Sequence, residues 1–390
     1  MIGPPFTLRG GPFFFTTIHP FYLRLKQPVI MAKLLKDHFD RNYLSRLADE
    51  LRKHEPAFPK RKMLSFVFDT EWEQRELKQR MRHISHAMRE YLPADYEVAL
   101  KILIQAAPQF GGFEAMFFPD FVEVYGLDEW DLSLPALEHF TEYSSSEFAV
   151  RPFILQDQKR MMRQMKRWAA SKNHHVRRLA SEGSRPRLPW AMALPEFKKD
   201  PAPTLPLLEK LKADPSEYVR RSVANHLNDI SKDHPELVVD IAQKWIKGSP
   251  ETQWIVKHAC RTLLKQGKPE VLALFGYQAP VDVCVRNFEI TPTGVAWGKE
   301  VQFEFELVSP SGELGLLRVE YAIDFVRQKG AASRKVFKIS EGPISQNSRC
   351  YSRRHSFKPI STRKYYPGWH QITIIVNGQE MVDGQFELQE

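Results

Sequence analysis

The chain has 390 residues, 43% of them hydrophobic and 26% charged, which is the composition of a soluble globular protein of two or three domains. Its formal net charge of +9 favours a polyanionic partner such as nucleic acid, although charge alone does not separate DNA from RNA or a membrane surface. The three cysteines lie far apart and no apolar run reaches transmembrane length, which excludes a disulfide scaffold, a cysteine-ligated metal site and an integral membrane protein.

The first thirty residues differ in amino-acid composition from the rest of the chain. They are rich in aromatic residues, glycine and proline, and they lack the basic start and continuous apolar stretch of a secretory signal. Met31 opens the segment MAKLLKDHFDRNYLSRLADELRK, whose apolar spacing predicts a helix. We therefore expect Met31 to be the natural start and residues 1–30 to be an upstream extension without a stable fold.

The periodicity of apolar residues divides the remainder into two domains. Residues 31–280 repeat apolar side chains at three- and four-residue steps, which predicts helices. Residues 281–390 alternate with period two, as in VQFEFELV and QITIIVNG, and contain about seven short strands separated by turn signals. The sequence therefore predicts a multidomain fold, an all-α HEAT-like repeat solenoid followed by an all-β immunoglobulin-like sandwich.

Four helical segments repeat one pattern: a polar start, a valine, one or two bases, and then small or apolar residues. The valines are Val150, Val176, Val219 and Val256, separated by 26, 43 and 37 residues. A period near forty is typical of HEAT-like repeats, whose equivalent helices line one concave face. We expect the following bases to form a stripe that contacts a phosphate backbone: Arg151, Arg177, Arg178, Arg220, Arg221 and Lys257. A solvated helix edge would also tolerate each of them singly.

Two runs concentrate the positive charge. Residues 159–187 hold ten Lys or Arg and one acid, Glu182, and residues 327–364 hold eleven Lys or Arg and one acid, Glu341. From these runs we predict further DNA-binding residues: Arg185, Lys329, Arg334 and Lys335. A basic surface without a partner is the alternative. No iron–sulfur, zinc, P-loop or Rossmann pattern occurs, so we expect no metal and no cofactor.

Three stretches carry a family resemblance: SSSEFAVRPF, HHVRRLASEGSRPRLPW and YVRRSVANHLNDISKDHP. They resemble the HEAT-like repeat alkylpurine DNA glycosylases of the AlkC branch, and the likeness spans about 31–390. The resemblance implies excision of cationic alkylated bases, such as 3-methyladenine and 3-methylcytosine, from double-stranded DNA without base flipping. It also implies a monofunctional enzyme acting as a monomer on the nucleoid in the bacterial cytoplasm.

The resemblance places Glu147 and Glu182 in the active site, with Glu147 as the principal carboxylate. A carboxylate fixed among cations can stabilise an oxocarbenium-like transition state. Trp190 is expected to face the sugar–phosphate at the lesion, and Tyr143 and Asn225 to form part of the wall. The alternatives are ordinary helical ion pairs, Glu147 with Arg151 and Arg178 with Glu182, and a tryptophan that only packs.

Two other functions compete with this one. A non-catalytic HEAT scaffold for protein partners would present an apolar concave face and place no demand on the two glutamates. A DNA-binding relative without activity would keep its basic residues and lose its carboxylates, which this sequence retains.

Overall fold

The computed structural model describes residues 34–280, 282–360 and 363–389. The expected extension at residues 1–30, and the expected start at Met31, lie outside these ranges. The predicted fold class is confirmed: helices fill the first part of the described chain, and strands fill the second. None of the helices in the described part is long and apolar enough to cross a membrane.

The helical part contains sixteen α-helices within the described residues. They are α1 Arg41–His54, α2 Lys60–Val67, α3 Leu77–Tyr91, α4 Tyr96–Ala106, α5 Phe117–Tyr125, α6 Trp130–Phe140, α7 Val150–Gln156, α8 Gln158–Trp168, α9 His174–Gly183, α10 Pro195–Lys199, α11 Leu205–Leu211, α12 Glu217–Ile230, α13 Pro235–Trp245, α14 Pro250–Ala259, α15 Arg261–Lys265 and α16 Pro269–Leu274. Short polar side chains start several of them: Asn173 accepts a hydrogen bond of 2.8 Å from the His175 amide before α9, and Ser249 caps α14.

The four valines of the repeat are all buried, although Val176 and Val219 are the third residues of their helices and Val256 is the seventh of its helix. Val150, Val176, Val219 and Val256 are at most 1% exposed, one on each of α7, α9, α12 and α14. α12 packs between α9 and α14, as stacked repeats require. A Cβ on Gly183 would lie 2.5 Å from Val150 Cγ2, so the absence of a side chain there lets α7 and α9 approach closely. The helical repeat read from the sequence is therefore confirmed in the helix packing.

The sandwich consists of two sheets that share one apolar core. Its strands are β1 Cys284–Thr291, β2 Gly294–Ala296, β3 Glu300–Val308, β4 Gly315–Phe325, β5 Ser333–Ile344, β6 Ser348–Ser356, β7 Gly368–Val376 and β8 Gln379–Gln389. The sheets have the orders β1-β3-β6 and β2-β8-β7-β4-β5, and only β2–β8 pairs in parallel. β4 and β5 form a hairpin with a loop at 326–332 between them.

The turn between β7 and β8 docks the sandwich onto the last helices. Asn377 donates from its amide nitrogen to the Gln278 carbonyl at 2.7 Å. Gly378 has a φ of +82°, and a Cβ there would lie 2.5 Å from Leu272 Cδ1. The positive φ favours glycine at this position, and the turn packs directly against the last helices.

Candidate functional site

A cavity of about 590 Å³ opens beside α9, and we call it the α9 pocket. Its walls come from the turn at 112–116, the segment 143–148, α9, the segment 185–190 that leaves α9, and the first residues of α12. Both glutamates predicted from the sequence line it, together with Arg178, Trp190 and Tyr143. The fold therefore brings together residues that come from four separate stretches of chain.

Arg178 lies between the two glutamates. One guanidinium nitrogen, Nη1, donates to Glu147 Oε2, and the other, Nη2, lies 3.5 Å from Glu182 Oε1. The pKa of Arg178 is raised above its ordinary value. Burial is the largest single influence and acts to lower the pKa, but the charges of Glu182 and Glu147 together outweigh it. Arg178 is therefore a fixed cation that orients both carboxylates. The ion pair between Arg178 and Glu182, which the sequence offered as an alternative, is present with a long N–O distance of 3.5 Å.

Glu147 lies in the turn that precedes α7 rather than at the start of that helix. Its Oε2 accepts 2.7 Å from the Ser145 hydroxyl as well as from Arg178, and Ser145 also accepts 2.9 Å from Arg178. Its other oxygen, Oε1, has no hydrogen-bond partner among the described residues. The side chain is 15% exposed. One carboxylate oxygen of this pocket-lining side chain is thus held by two donors, while the other is not engaged by any described residue.

Glu182 is held more completely and is more deeply buried. It is 5% exposed and accepts 2.6 Å from Arg185 Nη1 and 2.5 Å from the Ser222 hydroxyl. Arg185 in turn donates 2.8 Å to Asp229 Oδ2. Positive and negative side chains therefore alternate from the α9 pocket into the helix stack. Glu182 contacts both the pocket residue Arg178 and the buried Arg185 behind it. The sequence reasoning missed Asp229, since nothing in its local pattern separates it from an ordinary helix residue.

Trp190 stands at the rim of the α9 pocket in a strained conformation. Its φ is +63°, a region that a bulky side chain rarely occupies, and the side chain is 65% exposed. The Trp190 carbonyl accepts 2.9 Å from Lys78 Nζ, and its ring meets Phe113 edge-on at 6.3 Å. An exposed tryptophan in an unfavourable backbone conformation is typical of a functional position rather than a packing one.

The pocket wall contains aromatic residues that the sequence only partly predicted. Tyr143 lines it as expected. Tyr218, one residue before the repeat valine in YVRR, was missed, although it lies 4.9 Å beneath the Arg178 guanidinium. Burial raises the pKa of Tyr218 most. The charge of Arg178 acts to lower it, and the charges of Glu147 and Glu182 raise it. The prediction that Asn225 forms part of this wall is wrong: its amide oxygen accepts 3.0 Å from Arg261 in the next repeat.

The prediction that Arg151 contacts phosphate is wrong. Arg151 is fully buried, and it donates to the backbone carbonyls of Met192 at 2.6 Å, Gly183 at 3.0 Å and Arg185 at 2.9 Å. It makes no ion pair with Glu147, so that alternative is wrong as well. Burial, and then Arg185, lower the pKa of Arg151 to about 10. Its role is to hold the segment that carries Trp190 against α7.

The stripe prediction is also wrong for Arg177 and Arg220, the first base of each adjacent pair. Arg177 donates to the carbonyls of Ser171 and Lys172, and pairs with Asp214 at 2.6 and 2.9 Å. Arg220 donates to the carbonyls of Asp214 at 2.7 Å and Pro215 at 2.9 Å. Each therefore closes the loop before its own helix. The sequence pattern places Arg177 and Arg220 directly after a repeat valine, but it does not indicate that this helix position faces the preceding loop.

The remaining predicted DNA-binding residues differ in how far they are already paired. Arg185 is largely buried and pairs with Glu182 and Asp229, but it also lines the α9 pocket, and its predicted DNA contact stays a prediction. Arg221 is 61% exposed and pairs only with the equally exposed Glu217. Lys257 pairs with Glu341 of the sandwich at 3.1 Å.

In the sandwich, the three predicted bases lie on or beside the β4–β5 hairpin. Arg334 pairs with Asp324 at 3.1 Å and with Glu380 at 2.6 Å. Lys329 and Lys335 are exposed, and neither has an ion-pair partner among the described residues. A cavity of about 450 Å³ collects these two lysines with Arg327, Arg363 and Lys364. Five cationic side chains therefore line this cavity beside the hairpin.

Comparisons with known proteins agree over both domains. The family model described as DNA alkylation repair enzyme matches residues 116–263, and that of the C-terminal Ig-like domain of uncharacterised protein YhaZ matches residues 284–390. The chain is 47% identical over 346 residues to uncharacterized protein YhaZ of Bacillus subtilis (strain 168), covering 88% of this chain and 96% of that protein.

A solved structure matches nearly the whole chain. It is that of the Pseudomonas fluorescens alkylpurine DNA glycosylase AlkC bound to DNA containing an abasic site analog. The identity is 38% and the TM-score 0.87, covering 92% of this chain and 100% of the other.

Proposed function

The chain belongs to the DNA alkylation repair enzyme family, and we propose that it is a monofunctional DNA glycosylase that removes cationic alkylated bases from double-stranded DNA. We expect the bases that it removes to include 3-methyladenine and 3-methylcytosine. The observation that carries the proposal is Glu147, which lines the α9 pocket and has one oxygen held by Arg178 and Ser145 while the other has no hydrogen-bond partner among the described residues.

The reaction needs little acid catalysis, because the base already carries a positive charge. The bond between C1′ and the base nitrogen breaks, and its electron pair leaves with the base and neutralises that charge. The sugar becomes an oxocarbenium-like cation, which a nearby carboxylate stabilises electrostatically. A water oxygen then bonds to C1′, and the proton it loses passes to the carboxylate or to solvent. The products are the free base and an abasic site.

We assign the two glutamates different parts in this reaction. Glu147 stabilises the sugar cation and orients the water, since its Oε1 has no partner among the described residues. Glu182 holds Arg178 in place from behind and adds negative charge, since its own oxygens are engaged by Arg185 and Ser222. In this arrangement Arg178 positions Glu147 rather than binding a phosphate.

The aromatic rim suits a sugar rather than a flipped base. Trp190 is exposed at the edge of the pocket, where an indole face can pack against a deoxyribose and a cationic base. Tyr143 and Tyr218 continue this surface inside. We therefore propose that the base stays stacked in the duplex while the enzyme reaches C1′ from the backbone side.

The DNA duplex itself is held by the exposed cations that the fold leaves without a buried partner. On the helical side these include Arg221, and on the sandwich the hairpin lysines Lys329 and Lys335. We expect a monomer in the cytoplasm, since one chain supplies every residue assigned here.

Release of free base tests the proposal directly. Methylated duplex DNA is incubated with the wild-type protein, and released bases are separated by chromatography and identified by mass. We expect 3-methyladenine to be released, and the strand to break only after alkali, as a glycosylase without lyase activity requires. Absence of any released alkylated base from folded, DNA-bound protein would instead favour the non-catalytic DNA-binding alternative.

A further inference from the structure

A second cavity, of about 770 Å³, lies where the two domains meet, and we call it the junction cleft. One wall is α14 with the start of α15, and the other is formed by β4 and β5 of the sandwich. None of its residues takes part in the α9 pocket. The cleft is fixed in shape because the Asn377–Gly378 turn locks the domains together.

The floor of the junction cleft is a pair of stacked rings. The indole of Trp254 and the imidazole of His258 lie parallel within 5°, with centroids 5.2 Å apart. His258 is held from the other side by the Asn225 amide oxygen at 3.3 Å. Trp254 nevertheless remains 39% exposed, so its free face is available to a flat ligand.

The repeat register relates this stack to the α9 pocket. His258 follows Val256 by two positions, as Arg178 follows Val176 and Arg221 follows Val219. Each of these three residues is the second base position of its repeat, on α9, α12 and α14 in turn. The stack therefore continues the helix surface that carries Arg178, with aromatic rings in place of a guanidinium.

Positive charge surrounds the stack and is only partly neutralised. One carboxylate that lines the cleft is Glu341. Five cationic side chains line it as well: Lys257, Arg261, Lys265, Arg318 and Lys338. Glu341 is shared by three of these, Lys257 at 3.1 Å, Lys338 at 3.0 Å and Arg318 at 2.7 Å. Arg318 also pairs with the buried Glu320 at 2.6 Å, so two carboxylates face the five cations of the cleft.

Two of the cations have no carboxylate partner among the described residues. Arg261 donates only to neutral oxygens, the His258 carbonyl at 2.7 Å and Asn225 Oδ1 at 3.0 Å. Lys265 is exposed and makes no hydrogen bond within the described chain. Burial lowers the pKa of Lys265 most, and the charges of Arg318 and Arg261 lower it further, while Glu320 acts to raise it. A lowered pKa is expected where cations from both domains face each other.

We propose that the junction cleft binds a nucleotide unit, with its ring system on the free face of Trp254 and its phosphate between Lys265 and Arg261. An aromatic face beside unneutralised cations is the arrangement that proteins use for nucleotides in a strand. Two sources share this chemistry, a nucleotide of the DNA on which the enzyme acts and a free nucleotide. The first source rests on the proposed function, since it requires DNA along the same helix surface.

Two single variants test the cleft, each with a matched control elsewhere. Trp254→Ala removes the aromatic face, and its control is Trp369→Ala, a 61% exposed tryptophan on β7 that does not line the cleft. Lys265→Ala removes an exposed cation, and its control is Lys299→Ala, an exposed lysine of the sandwich outside the cleft. Thermal melting confirms that each variant is folded.

Binding is measured with two probes, a DNA duplex that ends in a single-stranded overhang and free dAMP, at several salt concentrations. If an unpaired nucleotide of the DNA is the unit, Trp254→Ala weakens binding of the overhang duplex roughly 5- to 150-fold, the range for losing one stacked base. Lys265→Ala then lowers the salt slope by about 0.7. If a free nucleotide is the ligand, dAMP binds to the wild type and to both controls, and both cleft variants lose it.

The proposal is overturned if neither cleft variant differs from its control with either probe. That result is distinct from failure of the proposed function, which is scored by base release from methylated DNA and not by binding. A protein that releases base but shows no effect in the cleft variants retains its function and loses this site.

Discussion

Arg177 and Arg220 make the same contact one repeat apart. Each donates from Nη1 to the two backbone carbonyls that lie six and five residues before it, those of Ser171 and Lys172 in one case and of Asp214 and Pro215 in the other. The first arginine of each adjacent pair is therefore a loop clamp. The second, Arg178 or Arg221, is the one that faces outward or into the pocket.

Replacing the two arginines of the second pair separately should give different defects. Arg220→Ala removes a charged donor from two carbonyls, and we expect it to lower the free energy of unfolding by about 1–3 kcal/mol. Arg221→Ala should change stability by less than about 0.5 kcal/mol, because its only partner, Glu217, is exposed. It should instead lower the salt slope of duplex binding by about 0.9. Urea unfolding and salt titrations measure the two effects, and equal stability losses would refute the distinction.

Glu147→Gln should abolish most base excision while leaving fold and DNA affinity intact. The substitution keeps the size and one acceptor oxygen but removes the charge that stabilises the sugar cation, for which we expect a rate loss of about 10²- to 10³-fold. Glu142→Gln is the matched control, since Glu142 is exposed and does not line the α9 pocket. Single-turnover base release compares the two, and equal rates would remove Glu147 from the mechanism.

Glu182→Gln should differ from Glu147→Gln in its effect on stability. Glu182 is buried and is the ion-pair partner of Arg185, so loss of its charge leaves a buried cation less well compensated. Breaking such a pair costs up to about 3–5 kcal/mol, less where a hydrogen bond survives. We expect a clearly lower melting temperature than for Glu147→Gln, along with lost activity. Unchanged melting would mean that Asp229 alone neutralises Arg185.

Trp190 offers a test of backbone strain and function at the same position. Its φ of +63° disfavours any residue with a Cβ, so Trp190→Gly should be more stable than Trp190→Ala by about 1 kcal/mol. Both variants should lose base excision, because both lack the indole at the pocket rim. Thermal unfolding and base release are measured on the same preparations. A glycine variant no more stable than the alanine variant would show that the backbone changes conformation once the indole is removed.

His226 should make the protein sensitive to acid. Burial, and then the charge of Arg185, lower the pKa of His226 to about 3, although its hydrogen bond to the Ser181 carbonyl and the charge of Glu182 act to raise it. In the unfolded chain the pKa is about 6.5, so between pH 6.5 and 3 the unfolded state binds the additional proton and stability falls as the pH falls. At pH 5 the loss amounts to about 2 kcal/mol relative to pH 7.

The contribution of His226 can be isolated by comparing His226→Asn with the wild type at the two pH values. Asparagine retains a donor for the Ser181 carbonyl, which lies 3.0 Å from His226 Nδ1, but it does not titrate. The variant should lose less stability between pH 7 and pH 5, as measured by urea unfolding. An identical loss in both proteins would assign the acid sensitivity to other groups.

The sequence by itself determined the domain order, the repeat and the two glutamates. Periodicity separates helix from strand because one face of each element must be buried, and the four valines mark that face in four successive repeats. The stretches around Glu147, Glu182 and Trp190 carried the family resemblance, and all three residues line one pocket. These features are local, so they can be read along the chain.

The tertiary structure alone decided which charges are available to a ligand. Arg151, Arg177 and Arg185 lie in the same basic pattern as Arg178, but they are used to satisfy backbone carbonyls and buried carboxylates. An arginine has five donors and meets a carbonyl or a carboxylate equally well, so its sequence position does not reveal which partner lies nearby. That partner comes from segments more than thirty residues away, such as Asp214 for Arg177, and only the folded arrangement of repeats brings it into contact.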